Sequence, residues 1–224
     1  AMKKGKWIFA VAMLVLVLFP VSALAEPVVV NWWHAHGGRL GEKVNAIAEG
    51  FNSQQNDYKV VATYKGSYAD TMTAGIAAFR SKNPPQILQV FEVGTATMMA
   101  AKGAIKPVYE VMAESGLPFD PKVYLPTVTG YYTTPDGKML SMPFNSSTPV
   151  LYYNVDAFKK AGLDPAKPPK TWPEVADCAR KLVEAGYPGG FSTAWISWIQ
   201  IKNFSAWHNV PIGTKANGFG GLDT

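Results

Sequence analysis

The sequence predicts an α/β fold with a largely parallel sheet and helices on both of its faces. Three observations carry this. Short apolar, β-branched runs recur at Val28–Val30, Val60–Val61 and Ile87–Val90. Segments with helical spacing of apolar residues alternate with them, giving the order βαβαβα. Proline and glycine punctuate the boundaries between the two kinds of segment.

The elements follow in order. Val28 to Trp33 reads as a buried strand. Leu40, Val44, Ile47, Ala48 and Phe51 then form one face of an amphipathic helix ending near Asn52. Tyr58 to Tyr64 is a second strand. Asp70 is expected to cap a helix with Met72, Ile76 and Phe79 on one face, closed before Pro84-Pro85. Gln86 to Phe91 is a third strand, and Ala96 to Ala101 begins a helix stopped at Gly103. Pro107 to Gly116 gives a short helix, and Pro135-Asp136-Gly137 gives a turn, with proline fixing φ and glycine accepting a positive φ. Met139–Phe144 and Val150–Asn154 are extended and flank the polar island Asn145–Thr148. A helix runs from Asp156 to Gly162. Thr171-Trp172-Pro173-Glu174 is a capping box, and its helix turns Val175, Ala179, Leu182 and Val183 inward before Gly186. The rest of the chain is rich in tryptophan and then in glycine.

The N-terminus has the make-up of an export signal. Lys3, Lys4 and Lys6 precede an apolar run from Trp7 to Phe19, then Pro20 and the small-x-small site Ala23-Leu24-Ala25. The run is shorter than the roughly 20 apolar residues a spanning helix needs, so a cleaved leader over residues 1–25 is expected. No cysteine stands at that site for a lipid anchor. The chain has 21 basic and 16 acidic residues. The leader accounts for three of the basic ones, leaving 18 against 16, a net +2. That balance does not suggest a nucleic-acid surface, which needs basic residues clustered on one face. Cys178 is the single cysteine, so no intrachain disulfide forms, and the thiol reads as a small core residue.

Several stretches are more specific than any single motif. They are Tyr64-Lys65-Gly66-Ser67-Tyr68, Ala74-Gly75-Ile76-Ala77-Ala78-Phe79-Arg80, Glu92-Val93-Gly94-Thr95-Ala96-Thr97-Met98-Met99, the run from Pro143 to Asn154, the run from Asp156 to Pro165, and Trp195-Ile196-Ser197-Trp198-Ile199-Gln200. In this order they closely resemble the glycerol-3-phosphate-binding proteins of bacterial ABC importers, within the family-1 extracellular solute-binding proteins. The resemblance runs from about Asn31 to Asp223 and covers the first part of a longer chain. It implies a periplasmic, two-lobe binding protein whose ligand lies in a cleft on which the lobes close. Residues 26–140 would form the first lobe, 141–154 the crossover and 155–224 part of an incomplete second lobe. It further implies a monomer without a cofactor that binds glycerol 3-phosphate or a glycerophosphodiester such as glycerophosphocholine. Such a protein delivers its ligand to membrane subunits powered by a separate ATPase. Tyr68, Glu92 and Ser147 match ligand contacts of the family, and Trp195 and Trp198 match a pair lining its cleft.

The chemistry of these positions fits, although each has a plainer reading. Glu92 follows a strand, where open α/β sheets bind ligands. Its carboxylate suits glycerol hydroxyls and repels phosphate; otherwise it is a solvated loop acid. Ser147 can donate to a phosphate oxygen or bond its own turn. Tyr68 can donate through its phenol or sit at the rim of a core. Trp195 and Trp198 can wall a polyol or a choline cation, or simply pack. His34 and His36 are too few for a zinc site. No phosphate loop, nucleophile elbow or dinucleotide fingerprint is present. Two rival functions remain: a neutral-sugar binder of the same fold, and a periplasmic hydrolase with Glu92 as its acid. The hydrolase needs a second positioned carboxylate or a metal cluster.

Overall fold

The computed structural model describes residues 26–91, 94–95, 97–98, 101, 103–134 and 136–217. The expected leader therefore lies outside the described residues. The helix expected from Ala96 lies partly outside them, although Gly94, Thr95, Thr97 and Met98 are helical. No helix among the described residues is long and apolar enough to cross a membrane. The chain divides into two compact units, Ala1–Gln89 and Val90–Thr224.

The first unit is a three-stranded parallel sheet. Strand β1 is Val28–His34, β2 is Tyr58–Tyr64 and β3 is Ile87–Leu88. Their order is β2-β1-β3. β1 and β2 pair over seven positions, from Val28 opposite Tyr58 to His34 opposite Tyr64. β3 pairs only at Trp32–Ile87 and Trp33–Leu88. It is shorter than the run Gln86–Phe91 expected from the sequence because side chains take over its ends. The Gln86 Oε1 accepts from the Asn31 amide at 2.7 Å, and the Gln89 Oε1 accepts from the Ala35 amide at 2.9 Å.

Helix α1, Gly38–Asn52, joins β1 to β2 and packs on β2. Helix α2, Tyr68–Arg80, joins β2 to β3 and packs on β1 and β3. The two crossovers run in opposite directions across the sheet. Since such connections are right-handed, they place α1 and α2 on opposite faces. α1 buries only Val44 and Ala48. Leu40, Ile47 and Phe51, also assigned to its inner face, are exposed. A helix lying over the outermost strand covers just one i, i+4 line. α2 is capped by Ser67 rather than by Asp70: the Ser67 hydroxyl accepts from the Asp70 amide, and the Asp70 carboxylate accepts from the Ser67 amide at 2.9 Å. The inner face of α2 centres on Thr71 and Gly75, with Met72 and Ile76 beside them half-buried and Phe79 exposed. A Cβ at Gly75 would come within 2.6 Å of the Leu88 side chain, so the glycine lets α2 approach β3.

In the described part of the second unit, the regular elements are helices and 3-10 turns, with one antiparallel bridge. α3 is Val108–Ser115, closed by Gly116 at φ 67°. Two 3-10 turns, Pro121–Val123 and Gly130–Tyr132, flank α4, Pro126–Thr129. A single antiparallel bridge joins Thr133 to Met139 round the turn that holds Gly137 at φ 85°. α5 is Val155–Lys160, capped by the Asn154 side chain. α6 is Trp172–Glu184, opened by the Thr171–Glu174 capping box. Its Val175, Cys178, Ala179 and Leu182 are half-buried. Val183, expected inward, is 53% exposed, because it follows Leu182 round the helix and falls outside that stripe. A π-helix, Ile196–Asn203, leads into α7, Phe204–Trp207, and the last described element is α8, Thr214–Asn217. The core holds Met139, Ala157 and Phe158. Trp172 stacks on Phe204 at 4.5 Å and meets Phe191 edge-on.

Two outward-facing residues of β2, Tyr58 and Val60, are bonded by the side chains of Gln55 and Asn52. The Asn52 carboxamide donates to the Val60 carbonyl at 2.9 Å and accepts from the Val60 amide at 2.7 Å. Asn52→Ala removes both bonds and is expected to destabilise the protein by about 1–3 kcal/mol. Urea unfolding checks this, as a lower midpoint with an unchanged slope.

Candidate functional site

In an open parallel sheet, ligands bind beyond the carboxyl ends of the strands, where neighbouring connections diverge. With the order β2-β1-β3 that point lies beyond β1 and β3. The residues there are Ala35 and His36 after β1, Lys65 to Tyr68 after β2, and Gln89 after β3.

A bonded network holds them. The ladder continues past both strand pairs: the Lys65 amide donates to the His34 carbonyl at 2.9 Å, and the Gln89 amide donates to the Trp33 carbonyl at 2.9 Å. Gln89 is 8% exposed. Its side-chain carbonyl accepts from Ala35, so its NH2 faces the His36 Nε2 at 2.8 Å. That nitrogen must then be the acceptor, which puts the proton of the neutral ring on Nδ1. The His36 ring meets Tyr68 nearly edge-on, with centroids 6.1 Å apart. Tyr68 is half-buried and is the first residue of α2. The Lys65 ammonium lies 4.0 Å from the centre of the Trp33 ring. It is thereby placed as a half-buried cation at the same sheet end.

His34 lies under this network, 2% exposed. Its Nδ1 accepts from the His36 amide at 3.3 Å, so Nε2 carries the proton, and that buried N–H has no partner among the described residues. Burial holds the imidazole below its ordinary 6.5, and the neighbouring His36 acts in the same direction.

The expected site residues are placed as follows. Tyr68 joins the network just described. Glu92 lies outside the described residues. Ser147 is exposed on a stretch without regular structure. Trp195 and Trp198 meet, with ring centroids 6.1 Å apart at 66°. Trp195 stands just before the π-helix in the left-handed region, φ 59° and ψ 68°. A bulky residue there costs on the order of 1–3 kcal/mol, a strain that marks functional positions more often than packing ones. Trp195 is 58% exposed, whereas Trp198 is half-buried. Sequence reasoning weighed His36 only as a metal ligand and passed over Gln89 and Lys65. Their places immediately beyond three strand ends were the available signal.

Comparison with known proteins follows the same lines. The family model for bacterial extracellular solute-binding proteins matches residues 36–224. The chain is 58% identical over 196 residues to the sn-glycerol-3-phosphate-binding periplasmic protein UgpB of Pectobacterium atrosepticum, covering 87% of this chain and 44% of that relative. The proteins of the same name from Escherichia coli K12 and Brucella abortus strain 2308 are 57% and 56% identical, covering 87% and 86% of this chain and 44% and 45% of theirs. The chain thus spans less than half the length of these relatives. Among solved structures, the cyclic alpha-maltosyl-1,6-maltose binding protein of Arthrobacter globiformis matches with a TM-score of 0.54 at 23% identity, over 71% of this chain and 39% of that one. The mannotriose-bound protein CpMnBP1 matches with a TM-score of 0.52 at 24% identity, over 69% and 38%. These two share the two-lobe α/β fold of solute-binding proteins.

The buried His34 makes stability depend on pH. The unfolded chain binds a proton on this ring that the folded chain resists. Its contribution is therefore complete above about pH 6.5 and is lost as the pH falls from there towards the lower folded value. The urea midpoint should fall between about pH 7.5 and about pH 5.5, and the non-titrating His34→Gln should flatten that slope.

Proposed function

The chain belongs to the bacterial extracellular solute-binding proteins, and from that membership we propose that the whole protein is the periplasmic receptor of an ABC importer for sn-glycerol 3-phosphate. The observation that carries this reading is the identity of 56–58% to three relatives that bear that ligand in their names. That identity extends over 86–87% of the chain.

In this reading residues 1–25 are a cleaved export signal. Residues 26–140 form the first lobe, 141–154 the crossover and 155–224 part of the second. Tyr68, Glu92 and Ser147 contact the ligand, and Trp195 and Trp198 wall it. The strained, exposed Trp195 ring supports a binding role over a packing one. A phenol and a serine hydroxyl donate to phosphate oxygens, and the Glu92 carboxylate accepts from the glycerol hydroxyls, away from the phosphate charge. The indole pair presents apolar faces to the glycerol carbons, and those faces also suit the choline head of a glycerophosphodiester. The protein works as a monomer by lobe closure, then docks on membrane subunits driven by a separate ATPase. It delivers its ligand unchanged, in keeping with a family of binding proteins.

Isothermal titration of sn-glycerol 3-phosphate into the full-length protein tests this. Saturable binding with a negative heat-capacity change is expected. Tyr68→Phe, Glu92→Gln and Trp195→Ala should each weaken it about tenfold or more. Heat with a neutral oligosaccharide and none with glycerol 3-phosphate would keep the fold and overturn the ligand.

A further inference from the structure

Gln89 is buried although it belongs to neither the apolar core nor the expected ligand set. Its backbone amide and both ends of its side chain are engaged by residues on the exit from β1: Trp33, Ala35 and His36. It thus ties the end of β3 to the end of β1 across the divergence point of the sheet. The far end of the tie is the His36 ring, which stands edge-on to Tyr68 at 6.1 Å. Tyr68 also opens α2, and the Ser67–Asp70 capping box fixes its backbone. With the backbone fixed, the phenol is placed by the rotamer, and the neighbouring His36 ring limits that rotamer.

We propose that Gln89 and His36 form a clasp across the β1–β3 divergence point that positions the Tyr68 phenol for ligand, making both of them positioning residues of the binding site. The proposal rests on the solute-binding reading above. The chemistry is directional. The Gln89 carbonyl must face Ala35, so its NH2 can only donate to His36, and the His36 Nε2 can only accept. The ring is thereby held in one orientation and one tautomer. Replacing His36 by alanine removes one restraint on the Tyr68 ring, whose added mobility binding must then overcome, and this weakens affinity without any lost ligand contact.

A double-mutant cycle in the full-length protein tests the clasp, with Kd for sn-glycerol 3-phosphate and the unfolding midpoint measured in parallel. His36→Ala and Tyr68→Phe should each weaken binding about tenfold, and the double variant by little more than either alone, because His36 acts through Tyr68. Gln89→Glu should retain most of the affinity lost in Gln89→Ala, since its carboxylate accepts from Ala35 and from a reprotonated His36 Nε2. A purely structural role predicts instead that affinity follows the unfolding midpoint, or that the two substitutions add independently; either result overturns the proposal, as does unaltered affinity in His36→Ala. Nitrogen-15 NMR of the His36 ring gives a ligand-independent arm. The proton on Nδ1 supports the clasp and the proton on Nε2 overturns it. If the wild-type protein does not bind glycerol 3-phosphate, the ligand reading fails, while the ring tautomer still decides the clasp.

Discussion

A parallel sheet of three strands leaves backbone N–H and C=O groups exposed along its outer edges and at its ragged ends, and each must find a partner. Here carboxamide side chains supply many of them. A carboxamide carries a carbonyl and an N–H in nearly the geometry of a peptide bond, so it can stand in for a piece of strand. Gln86 and Gln89 lengthen the short β3 by one partner at each end of its pairing with β1. Asn52 and Gln55 bracket Val60 and Tyr58 on the outer side of β2. The first unit depends on these four amides, because β3 itself pairs at only two positions. Pro84 and Pro85 lack the amide hydrogens to begin it earlier.

This arrangement explains what the sequence made legible. Strand β2 and the ends of α1 and α6 followed from apolar runs, helical spacing and capping residues, all local signals. The Thr171–Glu174 box was visible because both of its partners lie within one turn. The Ser67–Asp70 box has the same logic, but aspartate in the third position replaces the usual glutamate, and by sequence alone Asp70 reads as the cap itself. The truncation of β3 was not legible. It depends on which side chain reaches which amide more than fifty residues away, as in the Gln86–Asn31 and Gln89–Ala35 bonds.

The candidate site shows the same division. The resemblance named Tyr68, Glu92, Ser147 and the two tryptophans; among them Tyr68 opens α2 just after β2, and Trp195 has a left-handed backbone. His36 was not legible as part of a network, because its partner Gln89 lies 53 residues further along the chain and periodicity carries no trace of such a bond. The left-handed backbone of Trp195 was hidden for a different reason. Nothing in its neighbours, Ala194 and Ile196, signals a turn.

The bracketing of β2 also bears on how the protein meets other copies of itself. An outermost strand with free N–H and C=O groups is a template on which a stray strand can add, the first step towards cross-β fibrils. On β2 two successive outward positions, Tyr58 and Val60, are occupied by amides from the same chain. An incoming strand would have to displace Gln55 and Asn52 to bond Tyr58 or Val60. Those two residues thus obstruct strand addition at these positions, a role distinct from what their bonds contribute to the stability of the folded chain.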